Sequence, residues 1–238
     1  MKGTSPEKTK NTGMRIGLFG GTFNPIHLGH LHAVKKIQDI FRFDKIYLIP
    51  SASPPHKELS EVVRAKNRME MIQLALAEKS FFLKAITASN VELKRAGASY
   101  TIDTVSYFKS ILPDKTRFYF ILGIDAFLEI DTWKSYIQLF DLVSFIVMTR
   151  NDSVNKDVSD MEDRLKKYIK STISDSYRFS PEDSLFFHTE KKPVFITDVE
   201  PKKISSTMIR ELIRQKKSIN NFLPENVKNY IRDKGLYL

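Results

Sequence analysis

Two histidines follow a glycine pair near the start of the chain, in the stretch GLFGGTFNPIHLGH at residues 17–30. Gly20 and Gly21 end a short apolar run, and without a Cβ they let the backbone turn sharply and let a ligand approach closely. A helix predicted to begin directly after His27 would direct its free N–H groups and its positive dipole end at the same space. His30 lies one turn further on the same side of that helix. Two imidazoles and a helix N-terminus form a compact site for phosphate oxygens.

A second polar cluster, ISSTMIR at 204–210, lies near the other end of the chain. Its hydroxyl residues, Ser205, Ser206 and Thr207, stand at the start of a predicted helix. Arg210 lies one turn into that helix and can reach the same anion as the helix N-terminus. Taken alone, the cluster is also typical of an ordinary helix cap.

Other readings of the first stretch are weaker. Two histidines three residues apart could bind zinc, but no third ligand follows at an obvious spacing. The glycines do not follow the G-x-G-x-x-G dinucleotide pattern, and the Gly-Lys-Ser/Thr of a P-loop is absent.

Hydrophobic periodicity predicts the elements that must position these residues. Strands are predicted at 14–19, 45–50, 81–87, 117–123, 141–149 and 193–197. Helices are predicted at 28–42, 61–79, 99–113, near 160–172, and at 205–215 and 225–235. The alternation predicts an α/β fold with a doubly wound parallel sheet and a small C-terminal helical portion. In such sheets ligands bind beyond the carboxyl ends of the strands, where both polar clusters fall.

Three local features refine this prediction. Pro54 and Pro55 predict a loop over 51–57. The helix over 99–113 is predicted to open at Ser99 or Thr101 and to stop at Pro113. The stretch 151–190 is polar and is predicted to be a variable segment.

Composition bounds the class of protein. The chain has 238 residues, of which 42% are hydrophobic, which suffices for one sizeable core. Residues 1–13 are predicted to be a disordered leader and 14–238 one domain, closed by the C-terminal helices of 204–238. The absence of cysteine excludes disulfides and thiolate metal sites and fits a reducing cytoplasm. No apolar run predicts a signal peptide or a membrane helix. The net charge of +10 suits anionic small molecules, nucleic acid or a solvated basic face.

The two clusters together resemble the paired signatures of the nucleotidylyltransferase superfamily, H-x-G-H and I-S-S-T-x-[IV]-R. Three further stretches, SPPHK (53–57), ELKRAGASYTIDT (92–104) and GIDAFLEIDTW (123–133), resemble bacterial nicotinate-nucleotide adenylyltransferases. The resemblance covers 14–150 and 193–238. It implies a Rossmann-like fold and transfer of the adenylyl group of ATP to nicotinate mononucleotide, with pyrophosphate as the second product. It also implies Mg²⁺ carried by the phosphates of ATP, with no metal site in the protein itself.

The resemblance assigns roles residue by residue. Catalysis is implied for His27, His30 and Arg210. ATP binding is implied for Gly20, Gly21, Thr22, Phe23, His27, His30, Gly123, Asp125, Ile204, Ser205, Ser206, Thr207 and Arg210. Binding of the mononucleotide is implied for Asn24, Lys57, Tyr100, Thr101, Asp125 and Trp133. Within this set, Thr101 would hold the nicotinate carboxylate at a helix N-terminus, Asp125 would contact a ribose, and Trp133 would stack on the pyridine ring.

Two positions depart from the family pattern. Asn24 stands where the signature usually has Asp, and Lys134 follows Trp133 where an aromatic residue is common. Nicotinamide mononucleotide therefore stays open as the substrate that accepts the adenylyl group. Pantetheine phosphate is a further alternative, although the adenylyltransferases that act on it look like markedly shorter chains without the three middle motifs. An aminoacyl-activating enzyme would need a K-M-S-K-S-like segment, which is absent. A non-catalytic nucleotide- or RNA-binding module is the alternative of a different class. No nucleic-acid or membrane partner is predicted, and the oligomeric state stays open, with a homodimer as one option.

Overall fold

The structure is a computed structural model that describes residues 13–52, 62–78, 84–95, 97–149, 158–199 and 204–238. The motif at 53–57, with the predicted substrate residue Lys57, lies outside the described residues.

An eight-stranded sheet forms the centre of the molecule, in the order β3-β2-β1-β4-β5-β8-β7-β6. Strands β1 to β5 and β8 pair in parallel, whereas β6 and β7 pair antiparallel with each other, and β7 with β8. The strands are β1 (Arg15–Gly21), β2 (Lys45–Pro50), β3 (Ile86–Ala88), β4 (Arg117–Gly123), β5 (Ser144–Thr149), β6 (Arg178–Ser180), β7 (Leu185–Phe187) and β8 (Val194–Asp198).

Eight α-helices accompany the sheet within the described residues. They are α1 (Leu28–Phe41), α2 (Ala65–Ala77), α3 (Thr101–Ile111), α4 (Ile124–Phe127), α5 (Tyr136–Leu142), α6 (Val158–Tyr168), α7 (Ser206–Arg214) and α8 (Glu225–Asp233). A 3₁₀ turn occupies Ile130–Thr132, and a π-helical turn over Ile169–Ile173 extends α6.

The helices cover both faces of the sheet. Alternate residues of the central strand β4 point to opposite faces: Phe118 and Phe120 join one core cluster, while Tyr119 and Ile121 join the other. Helices α1, α2, α7 and α8 pack on the second cluster, and α3 to α6 pack on the first. The predicted α/β, doubly wound class is confirmed.

Several predicted boundaries are wrong. The strand predicted over 81–87 is described only over β3, after a turn at 84–85, and 81–83 lie outside the described residues. The helix predicted over 61–79 begins at Ala65. The strand predicted from 141 begins at Ser144, because 141–142 end helix α5, whose apolar side chains Leu139 and Phe140 bury against the sheet.

Within the stretch 151–190, the helix predicted near 160–172 is confirmed as α6 with its π-helical turn, whereas the strands β6 and β7 were not predicted. The hairpin of β6 and β7 extends the sheet. Only four residues, 181–184, join the two strands, too few for the crossover that a parallel pair requires. The sheet is therefore mixed at this end rather than wholly parallel.

Ser99 does not cap α3. The N-cap is Tyr100, and Ser99 Oγ accepts a hydrogen bond from the backbone N–H of Ala52 at 2.8 Å. This bond ties the segment after β2 to the segment before α3, so that two loops at the carboxyl edge of the sheet are joined.

Candidate active site

The glycine–histidine segment, residues 20–30, leads from the end of β1 into the first turn of α1. His27 is the N-cap of α1, and its Nδ1 accepts a hydrogen bond from the backbone N–H of His30 at 3.3 Å. The two imidazole rings stack, with centroids 3.7 Å apart. His27 is buried and His30 is half-buried. Both imidazoles therefore lie at the helix start, as their spacing predicts.

The glycines at the end of β1 have a packing role that the sequence did not predict. A Cβ on Gly21 would lie 3.1 Å from the ring of Phe23, and a Cβ on Gly20 would lie 3.2 Å from the ring of Phe120. Phe23 takes a positive φ of 47° and sets its ring edge-on to His30, with centroids 5.1 Å apart. The space that side chains at Gly20 and Gly21 would fill is thus occupied by the rings of Phe120 and Phe23.

The second polar cluster lies directly against this segment. Ser205 caps α7, where its Oγ accepts a backbone hydrogen bond from the first turn. Ser206 donates its hydroxyl to the carbonyl oxygen of Pro25 at 2.9 Å. The buried Arg210 donates from Nη1 to the carbonyl oxygen of Asn24 at 3.1 Å. Two stretches more than 180 residues apart in sequence are thus joined by side-chain to backbone hydrogen bonds.

Two further members of the cluster lie beside these contacts. Thr207 is exposed, and its Oγ1 lies 3.5 Å from Nη2 of Arg210. Ile204 packs so close to the start of α1 that a Cβ on Gly29 would lie 3.7 Å from Ile204 Cβ. The N-termini of α1 and α7 therefore frame one region.

A second group of predicted residues meets at the start of α3. Thr101 is the first residue of that helix, and Tyr100 precedes it as N-cap. The ammonium group of Lys134 lies 4.6 Å from the centre of the Tyr100 ring and 3.5 Å from Oδ2 of Asp103. Trp133, which precedes Lys134, is half-buried. Tyr100 and Thr101, two of the residues implied for mononucleotide binding, thus lie beside Lys134, the residue that follows Trp133.

Gly123 and Asp125 lie where the fold predicts a ligand. Gly123 ends β4 and caps α4, and Asp125 stands exposed in the first turn of α4. Because β1 and β4 are parallel neighbours, their carboxyl ends reach the same edge of the sheet. The carboxylate of Asp125 therefore faces solvent on the edge that carries the histidines.

Arg68 is a structural residue of the site that the sequence analysis missed. It is 1% exposed, and its guanidinium donates to the carbonyl oxygens of Thr22, Ser51, Ala52 and Val63. Burial lowers its pKa from the usual value. A signal was present: Arg68 occupies a core-facing position of α2, four residues before Ile72 on its buried face. An arginine in an apolar stripe needs several acceptors, and here these are the loops after β1 and β2.

The described residues hold no group of three or more His, Asp or Glu side chains that could bind a metal ion. Within the same residues, none of the helices is both long and apolar enough to span a membrane.

Comparison with known proteins places this geometry in a family. The model of the cytidylyltransferase-like family matches residues 18–212. A probable nicotinate-nucleotide adenylyltransferase of Desulfatibacillum aliphaticivorans is 40% identical, with 94% of this chain and all of that protein covered. One from Thermoanaerobacter sp. is 35% identical, with 94% of each chain covered. Among solved structures, Plasmodium falciparum nicotinic acid mononucleotide adenylyltransferase complexed with NaAD has a TM-score of 0.68 at 18% identity, covering 94% of this chain and 97% of that one.

The fold and the family model define the class: a nucleotidyltransferase with a Rossmann-like α/β sheet. Within that class, the chain belongs to the nicotinate-nucleotide adenylyltransferase family. Membership makes it an enzyme and sets aside the non-catalytic binding module and the aminoacyl-activating enzyme as alternatives.

Proposed function

We propose that the protein transfers the adenylyl group of ATP to nicotinate mononucleotide, giving nicotinate adenine dinucleotide and pyrophosphate. The observation that carries the proposal is the joining of the two phosphate-binding signatures through Arg210 and Asn24, at the edge of the sheet where the stacked histidines lie. Relatives at 34–40% identity that bear the name of this activity support it.

The reaction requires little acid–base chemistry from the protein. A phosphate oxygen of the mononucleotide attacks the α-phosphorus of ATP, the bond from that phosphorus to the β-phosphate bridging oxygen breaks, and the electron pair leaves with pyrophosphate. The attacking phosphate is already an anion at neutral pH. The protein must therefore offset repulsion between two anions and hold attacker and leaving group in line.

Donors around the histidines suit the triphosphate. His27 and His30 present imidazoles at the start of α1, Arg210 adds a permanent positive charge, and the N-termini of α1 and α7 add partial positive charge. Their burial or half-burial strengthens each interaction with the charge that moves toward the leaving pyrophosphate. The hydroxyls of Ser205 and Thr207 extend the same donor set, whereas the hydroxyl of Ser206 donates to Pro25 and holds the start of α7 against the glycine–histidine segment.

The start of α3 suits the acceptor. The free backbone N–H groups at Thr101 would bind the nicotinate carboxylate, and Trp133 would cover the pyridine ring. Lys134 adds a cation close to this helix start, because its ammonium group contacts the ring of Tyr100 and the carboxylate of Asp103. Asp125, exposed at the same edge, is suited to accept hydrogen bonds from ribose hydroxyls.

The donor set fits a Mg²⁺ ion that arrives with the substrate. Among the residues that the structure describes, the groups that face the proposed triphosphate site are imidazoles, hydroxyls and a guanidinium rather than a carboxylate cage. Mg²⁺ is commonly held by substrate phosphates and water. When bound, such an ion would neutralise charge on the β- and γ-phosphates.

The test is pyrophosphate release from ATP and Mg²⁺, with nicotinate mononucleotide and nicotinamide mononucleotide compared by kcat/KM. We expect a strong preference for the acid, because helix N–H groups and Lys134 favour a carboxylate over an amide. Preference for the amide would overturn the acceptor assignment. Release with neither, but with pantetheine phosphate, would overturn the substrate class while leaving adenylyl transfer in place.

A further inference from the structure

Tyr237 lies near the end of the sequence, outside both signatures, but in the folded protein it contacts the glycine–histidine segment. Its hydroxyl donates a hydrogen bond to Oδ1 of Asn24 at 3.0 Å, across 213 positions of sequence. Both side chains are buried. Burial raises the pKa of Tyr237, so the phenol stays protonated and remains a donor at neutral pH, although the Arg210 and Arg68 guanidinium groups oppose that shift.

The turn after α8 directs Tyr237 to this position. Gly235 takes a φ of 57° just past the helix, and its N–H bonds back to the carbonyl oxygen of Arg232. Tyr237 itself takes a φ of 69°. Two left-handed residues in three turn the chain back toward the sheet, where the phenol ring joins the core beneath α1 and α2.

The amide of Asn24 has its orientation set by two donors. Oδ1 accepts from the Tyr237 hydroxyl and from the backbone N–H of Val63 at 3.2 Å. A backbone N–H can only donate, so the oxygen, not the nitrogen, faces these two groups. The Asn24 amide nitrogen is thereby directed away from Tyr237.

Helix α7 also binds the glycine–histidine segment at Asn24 and the residue after it. The carbonyl oxygen of Asn24 accepts from Arg210, and the next carbonyl, of Pro25, accepts from Ser206. Three residues later the N–H of Leu28 donates to the carbonyl oxygen of Phe222 at 2.9 Å. Hydrogen bonds with residues of the C-terminal part of the chain therefore hold the backbone between the glycines and α1 in place.

We propose that Tyr237 is a positioning residue for adenylyl transfer: by donating to Asn24 it fixes the backbone that sets His27 and receives Arg210. The proposal rests on the proposed function for the role of this segment in holding ATP. It assigns no contact between Tyr237 and substrate, so its effect passes through Asn24.

The experiment compares Tyr237→Phe with Tyr230→Phe. Tyr230, on α8, is a matched control because its hydroxyl also donates to an asparagine Oδ1, that of Asn67 in α2, at 3.3 Å. Four variants are assayed: Y237F, Y230F, Asn24→Ala and the double variant N24A/Y237F. For each, pyrophosphate release is measured, and binding of a non-hydrolysable ATP analogue is measured by calorimetry. Thermal unfolding of each is measured alongside.

We expect Y237F to raise the KM for ATP and the Kd of the analogue about five-fold, the change that an ordinary hydrogen bond of about 1 kcal/mol produces. We expect Y230F to leave both within two-fold. The double variant should be no worse than N24A, since the hydroxyl acts through that amide. A general loss of stability would instead lower the unfolding temperature and the active fraction without changing KM.

Equal KM values for Y237F and Y230F, or additive effects of N24A and Y237F, would overturn the positioning role. If the wild type binds the analogue but releases no pyrophosphate, the proposed function fails while the Kd comparison still tests Tyr237. If the wild type binds no ATP analogue, both fall. Should Y237F not fold, Asn24→Ala, which removes the acceptor of the same hydrogen bond, tests the contact through the Kd of the analogue, with an increase of at least the same size expected.

Discussion

A methyl group added at Gly29 should separate folding from catalysis. Gly29 is the second residue of α1. A Cβ there would lie 3.0 Å from Nδ1 and 3.1 Å from Cε1 of His27. The imidazole would have to shift by a few tenths of an ångström. It is buried and stacked on His30, so the shift would disturb both rings.

The expected effect on stability is small because two contributions oppose each other. Weakening the cap that His27 forms for α1 costs about 1 kcal/mol. Replacing a helical glycine by alanine favours the folded state by about 0.5–1 kcal/mol. We therefore expect the free energy of unfolding of Gly29→Ala to lie within about 1 kcal/mol of the wild-type value.

The expected effect on activity is large. If the imidazole of His27 holds the triphosphate, misplacing it should lower kcat/KM for pyrophosphate release by roughly 10- to 100-fold. Urea denaturation and steady-state kinetics on the same preparation measure the two quantities. As a control, Gly29→Ala in a His27→Ala background should cause little further loss, since the group it displaces is gone. A single G29A variant with wild-type stability and more than half the wild-type kcat/KM would refute the role given to His27.

Three further predictions concern other groups. Arg68→Met should lower the free energy of unfolding by about 3 kcal/mol in urea denaturation, because it strands several carbonyl acceptors in the loops after β1 and β2; a loss below about 1 kcal/mol would contradict this. Lys134→Gln should lower kcat/KM for nicotinate mononucleotide several-fold more than for the nicotinamide compound, whereas equal losses would indicate that Lys134 serves the shared phosphate instead. Tyr168 donates to Asp131, and burial, reinforced by this bond, raises its pKa to about 12. In the unfolded chain neither burial nor Asp131 acts on this hydroxyl, so it loses its proton near the ordinary tyrosine pKa of about 10. Wild-type stability relative to Tyr168→Phe should thus be constant below that pH and fall between it and about pH 12. A difference that does not change with pH would refute the shift.

Much of the fold follows from local pattern. Strands β2 and β4 were predicted to the residue, because each is a short apolar run ended by glycine or proline. The end of β1 was predicted two residues too early, because Gly20 and Gly21 pair with β2 as strand residues instead of forming the turn. The start of α1 after His27 and the stop of α3 before Pro113 follow from the same local chemistry. Local pattern failed at 141–142, where the apolar side chains of a short helix and of the following strand merge into one run.

The residue types of the candidate site were also present in the sequence. Paired histidines and a serine–threonine–arginine helix start predict anion binding from their own chemistry, and the order of parallel strands predicts the edge at which they lie. The roles of individual residues remain predictions, because local chemistry specifies what a side chain can bind but not what it does bind.

Only the tertiary structure decided which residues hold the site in place. Arg68 joins the loops after two neighbouring strands, and Tyr237 reaches Asn24 across 213 positions of sequence. The spacing of Arg68 on α2 indicates a buried arginine, but the local sequence identifies neither its acceptors nor the partner of Tyr237. Each contact depends on how α2 and the turn after α8 pack on the sheet. The sequence determined the donors that can meet a phosphate, because these need only a helix start and the right side chains. Packing determined the groups that orient those donors, because a buried hydrogen bond requires both partners to be brought together and shielded from water.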